Sequence, residues 1–186
     1  MKKIAVLSLA LAFGVATAVA VGQLAVPAAK TVQAKAQWAE VYRTPGGLVS
    51  GADLIVVAKH VASQPGRVVG DVPFTYNGFE IRRVLKGVHD DRELVVEQTG
   101  GLMKDGLILG IDDGGPFVPG RSYLLFLKAQ GADGVYYQIN HQARYELGRD
   151  GMLKGVDPAD AVVALFNGRS LDEASAIVER RIRMVQ

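Results

Sequence analysis

Histidine is the side chain most often used for metal binding and for proton transfer near neutral pH, and this chain contains three. They are His60, His89 and His141, and no two have the His-x-x-x-His spacing that places two ligands on one helix face. A zinc site takes about four ligands, and the chain has no cysteine to supply thiolates. The sequence therefore predicts no metal site and no cofactor. We expect His60 to pack within a strand, His89 to be solvated at a turn, and His141 to lie at a strand end.

A serine nucleophile needs a neighbouring base to activate it, and none of the serines lies in a Gly-x-Ser-x-Gly turn. Ser122 stands at the start of an apolar run that is typical of a strand, and Ser170 stands where a helix begins. Both have structural explanations. The pattern predicts no catalytic residues and a protein that is not an enzyme.

The segment from residue 100 to 120 contains seven glycines and two prolines, together with acidic and apolar side chains. Connections of this length are uncommon and are often functional. We predict that it contacts a partner through Ile111, Asp112, Asp113 and Phe117. Its carboxylates could also bind calcium, although the spacing of an EF-hand loop is absent. Calcium binding stays open as an alternative.

Charge argues against a nucleic-acid partner. The chain carries 21 basic and 19 acidic residues, but four of the basic residues and none of the acidic ones fall in residues 1–36. The remainder therefore has a net charge of −2, whereas proteins that bind a phosphate backbone present concentrated positive charge. The glycines also match neither the P-loop pattern nor the dinucleotide-binding pattern.

The first residues resemble an export signal. Lys2 and Lys3 are followed by a mostly aliphatic, uncharged stretch that runs from Ile4 to about Val21. This is the pattern of a secretory signal peptide, with small-residue cleavage sites near residues 18–20 and 34–36. Lys3 and Lys30 enclose 26 uncharged residues, so an uncleaved membrane anchor is the alternative. We expect the protein to be exported, whether secreted, periplasmic or at the cell surface, and to meet a membrane only through this leader if it is uncleaved.

Strand-like patterns follow in the rest of the chain. Apolar runs, alternating residues and turn signals predict a loop over residues 63–73, an irregular connection over residues 102–120, and a hairpin around Arg149-Asp150-Gly151. The predicted strands are residues 52–61, 74–85, 93–98, 122–129, 135–140, 144–147 and 151–154.

The C-terminal part has the signals of two helices. Asp157 followed by Pro158 predicts the start of one helix, which ends at Asn167-Gly168. Ser170 with Glu173 three residues later forms a predicted capping box for the second. The predicted fold class is α+β, mainly β. We divide the chain into a leader (1–36), a β domain (37–155) and C-terminal helices packed on it (156–186).

Three segments together resemble the netrin-like modules, which include the tissue inhibitors of metalloproteinases, and also cysteine-free exported bacterial proteins of the same pattern. They are Ala52 to Lys59, Phe79 to Gly87 with its Val-Leu-Lys-Gly ending, and Gly120 to Leu127. The resemblance covers about residues 50–150. It implies a small five- to six-stranded OB-like barrel with two C-terminal helices.

The activity of those inhibitors depends on an N-terminal cysteine that grips the zinc of the protease, and this chain has no cysteine. What the resemblance implies is an extracellular binding module. We therefore predict a secreted or cell-envelope binding module for an unknown protein or other extracellular ligand. The alternatives are a protease inhibitor that acts through the loop 100–120 without a cysteine, and a calcium-dependent adhesion or matrix component.

Overall fold

The computed structural model describes residues 30–34, 40–111, 114–131 and 134–184. The helices are α1 (Pro45–Gly51), α2 (Ala161–Phe166) and α3 (Leu171–Arg183). The strands are β1 (Thr31–Ala34), β2 (Leu54–Val69), β3 (Val72–Lys86), β4 (Glu93–Thr99), β5 (Gly101–Leu102), β6 (Ile108–Ile111), β7 (Ser122–Gln130), β8 (Val135–Gln138), β9 (Arg144–Leu147) and β10 (Leu153–Gly155). The predicted class, α+β and mainly β, is confirmed.

The main sheet has seven strands in the order β10-β9-β7-β2-β3-β4-β8, which is more than the five or six expected. In addition, β8 pairs with both β4, in parallel, and β7, antiparallel. The pairings therefore lead from β2 through β3, β4, β8 and β7 back to β2. The extra strands are β9 and β10, which form the predicted hairpin and extend the sheet beyond β7.

Both faces of β2 are buried from Leu54 to His60, which explains the nearly continuous apolar sequence of this part of the strand. Ile55 and Val57 pack under the helices in an outer cluster, which includes Phe126, Tyr145 and Phe166. Leu54 and its alternate neighbours face the other way, into an inner cluster from β2, β3, β4 and β7 that also contains Phe117. The helices are therefore bound to one side of the sheet, and the strand circuit encloses a second core.

The predicted loop over residues 63–73 is wrong, because β2 and β3 continue as a long hairpin whose turn is Gly70-Asp71. Beyond Lys59, β2 pairs only with β3 and is an edge strand. An edge position tolerates Pro65 because its missing N–H would point to solvent, so the proline did not end the strand.

A second, smaller sheet has the order β1-β6-β5. β5 and β6 lie within the connection 102–120, which is therefore less irregular than predicted. β1 belongs to the segment that the sequence assigned to the leader, and it pairs in parallel with β6, from Thr31 opposite Ile108 to Ala34 opposite Ile111.

The helix ends are set by local side chains. Ser170 and Glu173 form the predicted capping box at the start of α3. The start predicted for α2 is wrong: Asp160 caps it by accepting from the amides of Val162 and Val163, while Asp157 accepts from Ala159 in a preceding turn. No helix in the described part of the chain is both long and apolar enough to cross a membrane.

Candidate binding cleft

The inward-facing side chains of β3 and β4 change from apolar to polar toward one end of the sheet. In β3, the inward positions read from Phe79 back toward the start of the strand are Phe79, Asn77 and Thr75. In β4, which runs in the opposite direction, Val96 is followed by Gln98. The register sets Asn77 opposite Val96 and Thr75 opposite Gln98. The polar side chains of Asn77, Thr75 and Gln98 therefore lie at one end of the sheet, next to the inner cluster.

Hydrogen bonds hold these polar side chains in place. The Ser63 hydroxyl donates to Asn77 Oδ1 over 2.7 Å, and the Thr75 hydroxyl donates to the Gly100 carbonyl over 2.8 Å. Gln98 Nε2 donates to the Gly115 carbonyl over 2.9 Å. These bonds join the strands to the segments on either side of β5 and β6.

Phe117 closes the inner cluster at this end. Its ring packs edge to face on Phe79 and on Tyr123, with centroids 4.9 and 5.1 Å apart. The Arg144 guanidinium lies 3.8 Å from the centroid of this ring and 5.0 Å from that of Tyr123. The same guanidinium donates to the carbonyls of Gly115 (2.6 Å) and Pro116 (3.2 Å), so one side chain holds this loop in position.

Between the small sheet and the polar end of the main sheet lies a cleft of about 320 Å³. Its described lining residues are all uncharged, and glycine backbone forms much of its wall. They include Thr31, Gln33, Thr75, Asn77, Gln98 and Ile111. The exposed surface of the cleft is mostly apolar, with uncharged hydrogen-bond donors and acceptors among it, which suits a neutral ligand that has both apolar and polar groups.

His60 and Ser63 lie beside the cleft at a distance that a catalytic pair would have, with Nε2 3.1 Å from the hydroxyl. Asn77 Nδ2 faces the carbonyls of Val96 and Thr75, so its oxygen must be the atom that accepts from Ser63. The Ser63 hydroxyl therefore donates its hydrogen bond to Asn77, and its contact with His60 Nε2 is made through the hydroxyl oxygen.

His60 is fully buried, and its Nδ1 makes no hydrogen bond to any described residue. Burial lowers the pKa of this imidazole; contacts with the backbone of Val118 and Ala62 act in the opposite direction, and the positive charge of Arg144 adds to the lowering. The ring packs against Phe79 and Phe117, in agreement with the prediction that His60 is a packed strand residue.

The lowered pKa of His60 predicts a pH-dependent stability. The unfolded chain has a histidine pKa of 6.5 and so binds a proton that the folded chain excludes. The free energy of unfolding is therefore expected to fall as the pH drops from about 8 to about 5. We expect His60→Phe, which keeps an aromatic ring at this position, to flatten this dependence in urea denaturation at a series of pH values.

Asp160 and Glu173 have lowered pKa values, so their contributions disappear only at more acidic pH, where carboxylates titrate. These two carboxylates therefore do not change the free energy of unfolding in the pH range where histidine titrates. Equal slopes for the wild type and His60→Phe between about pH 5 and about pH 8 would contradict the assignment.

The other two histidines lie outside the cleft. His141 Nε2 is 3.4 Å from Asp160, the residue that caps α2. His89 Nε2 lies 2.8 Å from the Glu93 carbonyl in the turn before β4, and the ring packs against Tyr136. The residues that the structure describes contain no cluster of three or more His, Asp or Glu that could hold a metal ion.

The four predicted contact residues have different positions. Ile111 lines the cleft, whereas Phe117 is only 4% exposed and its ring faces the core instead of solvent. Asp112 and Asp113 lie outside the described residues. Asp105, in the same connection, accepts from the Leu107 amide, which is a turn contact.

Sequence reasoning missed the polar residues that form the cleft. Asn77 and Thr75 share the parity of Phe79 on β3, so extending the alternation backward would have placed them on the inner face. Two polar residues at inward positions were the available signal. The contribution of β1 had no comparable signal, because it depends on a parallel pairing with a distant segment.

No protein-family model matches this chain, and comparison with the curated proteins gives no match.

Proposed function

We propose that this protein is an exported, non-enzymatic binding module that recognises an extended peptide segment of a partner protein in the cleft. The observation that carries the proposal is the uncharged lining of the cleft, in which hydrogen-bonding groups lie among apolar surface. A peptide backbone is neutral and presents a donor and an acceptor at each residue. An exposed amide side chain in the cleft, such as that of Gln33, can pair with both.

We propose an OB-like barrel as the scaffold, and with it the netrin-like relationship. The closed circuit of β2, β3, β4, β8 and β7 supports a five-stranded barrel, with β9 and β10 as an appended hairpin. OB-type barrels bind ligands through the face of their second and third strands and the adjoining loops. This proposal is supported by β3 and β4, the second and third strands of the circuit, which supply the inner wall of the cleft.

The lining also argues for a peptide over a nucleic acid. A phosphate backbone is bound by lysine and arginine side chains, and the described residues of this cleft include neither. Arg144 is close to the cleft but is buried, and its guanidinium donates to two loop carbonyls.

The test uses a displayed library of random heptapeptides, selected on the immobilised full-length chain. Gln33 is exposed and lines the cleft, so Gln33→Tyr narrows it without removing a core contact. Val32 is also exposed and lies on the opposite face of the same strand, which makes Val32→Tyr the matched control. We expect enriched peptides to bind the wild type and Val32→Tyr, and to bind Gln33→Tyr at least about tenfold more weakly, a difference of about 1.4 kcal/mol.

Two results would overturn the proposal. One is a selection that enriches no peptide above a blank support. The other is a set of peptides that binds Gln33→Tyr as tightly as the wild type, which would place recognition elsewhere. Turnover of a substrate by the purified chain would remove the non-enzymatic part of the proposal.

A further inference from the structure

Five apolar side chains are exposed together at one end of the molecule, which we call the apolar end: Val68, Val69, Val72, Leu102 and Ile108. Val69 pairs with Val72 at the tip of the hairpin, and Leu102 pairs with Ile108 between β5 and β6. Val68 and Leu102 line the same hollow of about 310 Å³, which joins the two groups. Contiguous exposed apolar surface of this kind marks a site of interaction.

The path of the chain indicates what this surface meets. The Lys30 carbonyl accepts from the Ile108 amide over 3.0 Å, so the described chain begins beside the apolar end. The 26 residues between Lys3 and Lys30 are uncharged and mostly apolar, which is long enough to cross a bilayer. The membrane-compatible part of the sequence therefore joins the folded part beside the apolar end.

Charges surround the apolar end without covering it. Lys30 and Lys104 are exposed beside it, as are Asp71 and Asp105. Arg67 on the hairpin forms an ion pair with Glu97 over 2.8 Å. A surface with an apolar centre and a mixed-charge margin fits the boundary between acyl chains and zwitterionic headgroups, where apolar side chains enter and charged ones remain in the headgroup layer.

We propose that the apolar end rests on a lipid bilayer, with the hairpin tip and the β5–β6 turn in the interfacial layer. This contact is made by the folded domain itself, in addition to any membrane attachment through the leader. It fixes the orientation of the domain relative to the bilayer. Because Ile108 also lines the cleft, the cleft opens beside the bilayer surface, where it would meet segments of membrane-associated partners.

The absence of cysteine from the chain permits a direct test, because one introduced cysteine carries the only thiol label. Val69→Cys reports on the apolar end. Val88→Cys is the matched control, since Val88 is 83% exposed and follows the opposite end of β3 from the hairpin tip. The labelled full-length chain is reconstituted in phosphatidylcholine vesicles containing lipids with brominated acyl chains, which quench an environment-sensitive fluorophore only at close range.

We expect the label at residue 69 to shift to shorter wavelength and to lose most of its fluorescence to the brominated lipid, with little change at residue 88. A label at Leu102→Cys is expected to behave like the one at residue 69, and to lose its quenching when Val69→Asp and Val72→Asp are added. Far-UV circular dichroism checks that this variant is folded.

Three outcomes would overturn the proposal. Quenching at neither position would mean that only the leader meets the lipid. Equal quenching at both positions would mean that the domain has no fixed orientation. A blue shift at residue 69 without quenching would mean that protein, such as the leader folded back, covers the apolar end. The peptide selection is performed without lipid, so its failure would not affect this test.

Discussion

Phe126→Ala is expected to lower the free energy of unfolding by about 3 to 5 kcal/mol, the range for a large buried aromatic side chain. Phe126 is fully buried on β7, and its ring lies 5.4 Å from that of Phe166 and 6.0 Å from that of Tyr145. The truncation leaves a cavity between the sheet and α2 and removes both aromatic contacts. Equilibrium urea denaturation followed by circular dichroism measures the loss.

Two further variants calibrate this prediction. Phe126→Leu retains much of the buried volume and is expected to lose less than about half as much as the alanine variant. Val88→Ala changes an exposed position and is expected to stay within about 0.5 kcal/mol of the wild type. A loss below about 1 kcal/mol for Phe126→Ala would contradict a close-packed outer cluster.

Arg144→Ala is expected to lower the free energy of unfolding by about 3 kcal/mol and to release the loop around Phe117. A hydrogen bond to a charged group contributes about 1.5 to 3 kcal/mol, and the guanidinium donates to two loop carbonyls. Its stacking over Phe117 adds a cation–π contribution of about 2 kcal/mol when desolvated, although these contributions are not additive. Without the guanidinium, the Gly115 carbonyl and the Pro116 carbonyl would each lose one hydrogen-bond donor.

Hydrogen exchange gives this prediction a local readout. The Val118 amide donates to the Tyr123 hydroxyl over 3.0 Å, so its exchange reports whether the loop stays in position. We expect faster exchange at Val118 in Arg144→Ala, and weaker binding of any peptide that enters the cleft. Arg144→Lys keeps the charge but not the planar fork, so an intermediate effect is expected. A lysine variant that matches the wild type would show that the fork geometry is unimportant.

The cleft and the apolar end are adjacent features with different chemistry. One has an uncharged lining that combines apolar surface with polar side chains, several of them held by hydrogen bonds, and the other is a set of exposed aliphatic side chains. A binding module anchored at a bilayer would use the second to set its orientation and the first to select its ligand. The two proposals are separate, because each has its own variants and its own readout.

The sequence by itself determined the elements that depend on local patterns. The apolar runs at residues 54–59 and 122–130 became strands because both of their faces can be buried. The hairpin at Asp150-Gly151 and the capping box of Ser170 with Glu173 follow from turn and helix-end chemistry within a few residues. These features needed no knowledge of the rest of the chain.

Only the tertiary structure decided the site. Thr75 and Gln98 meet through the register of β3 and β4, and Arg144 reaches the Gly115 carbonyl across 29 residues of sequence. β1 finds its partner in β6 more than 70 residues later. Whether a polar side chain is buried, and against what, depends on which strands pair, and the energy of pairing comes from contacts between segments that are distant in sequence. Local sequence patterns do not show which distant segments make these contacts. They therefore predict the strands but not the cleft that the strands form.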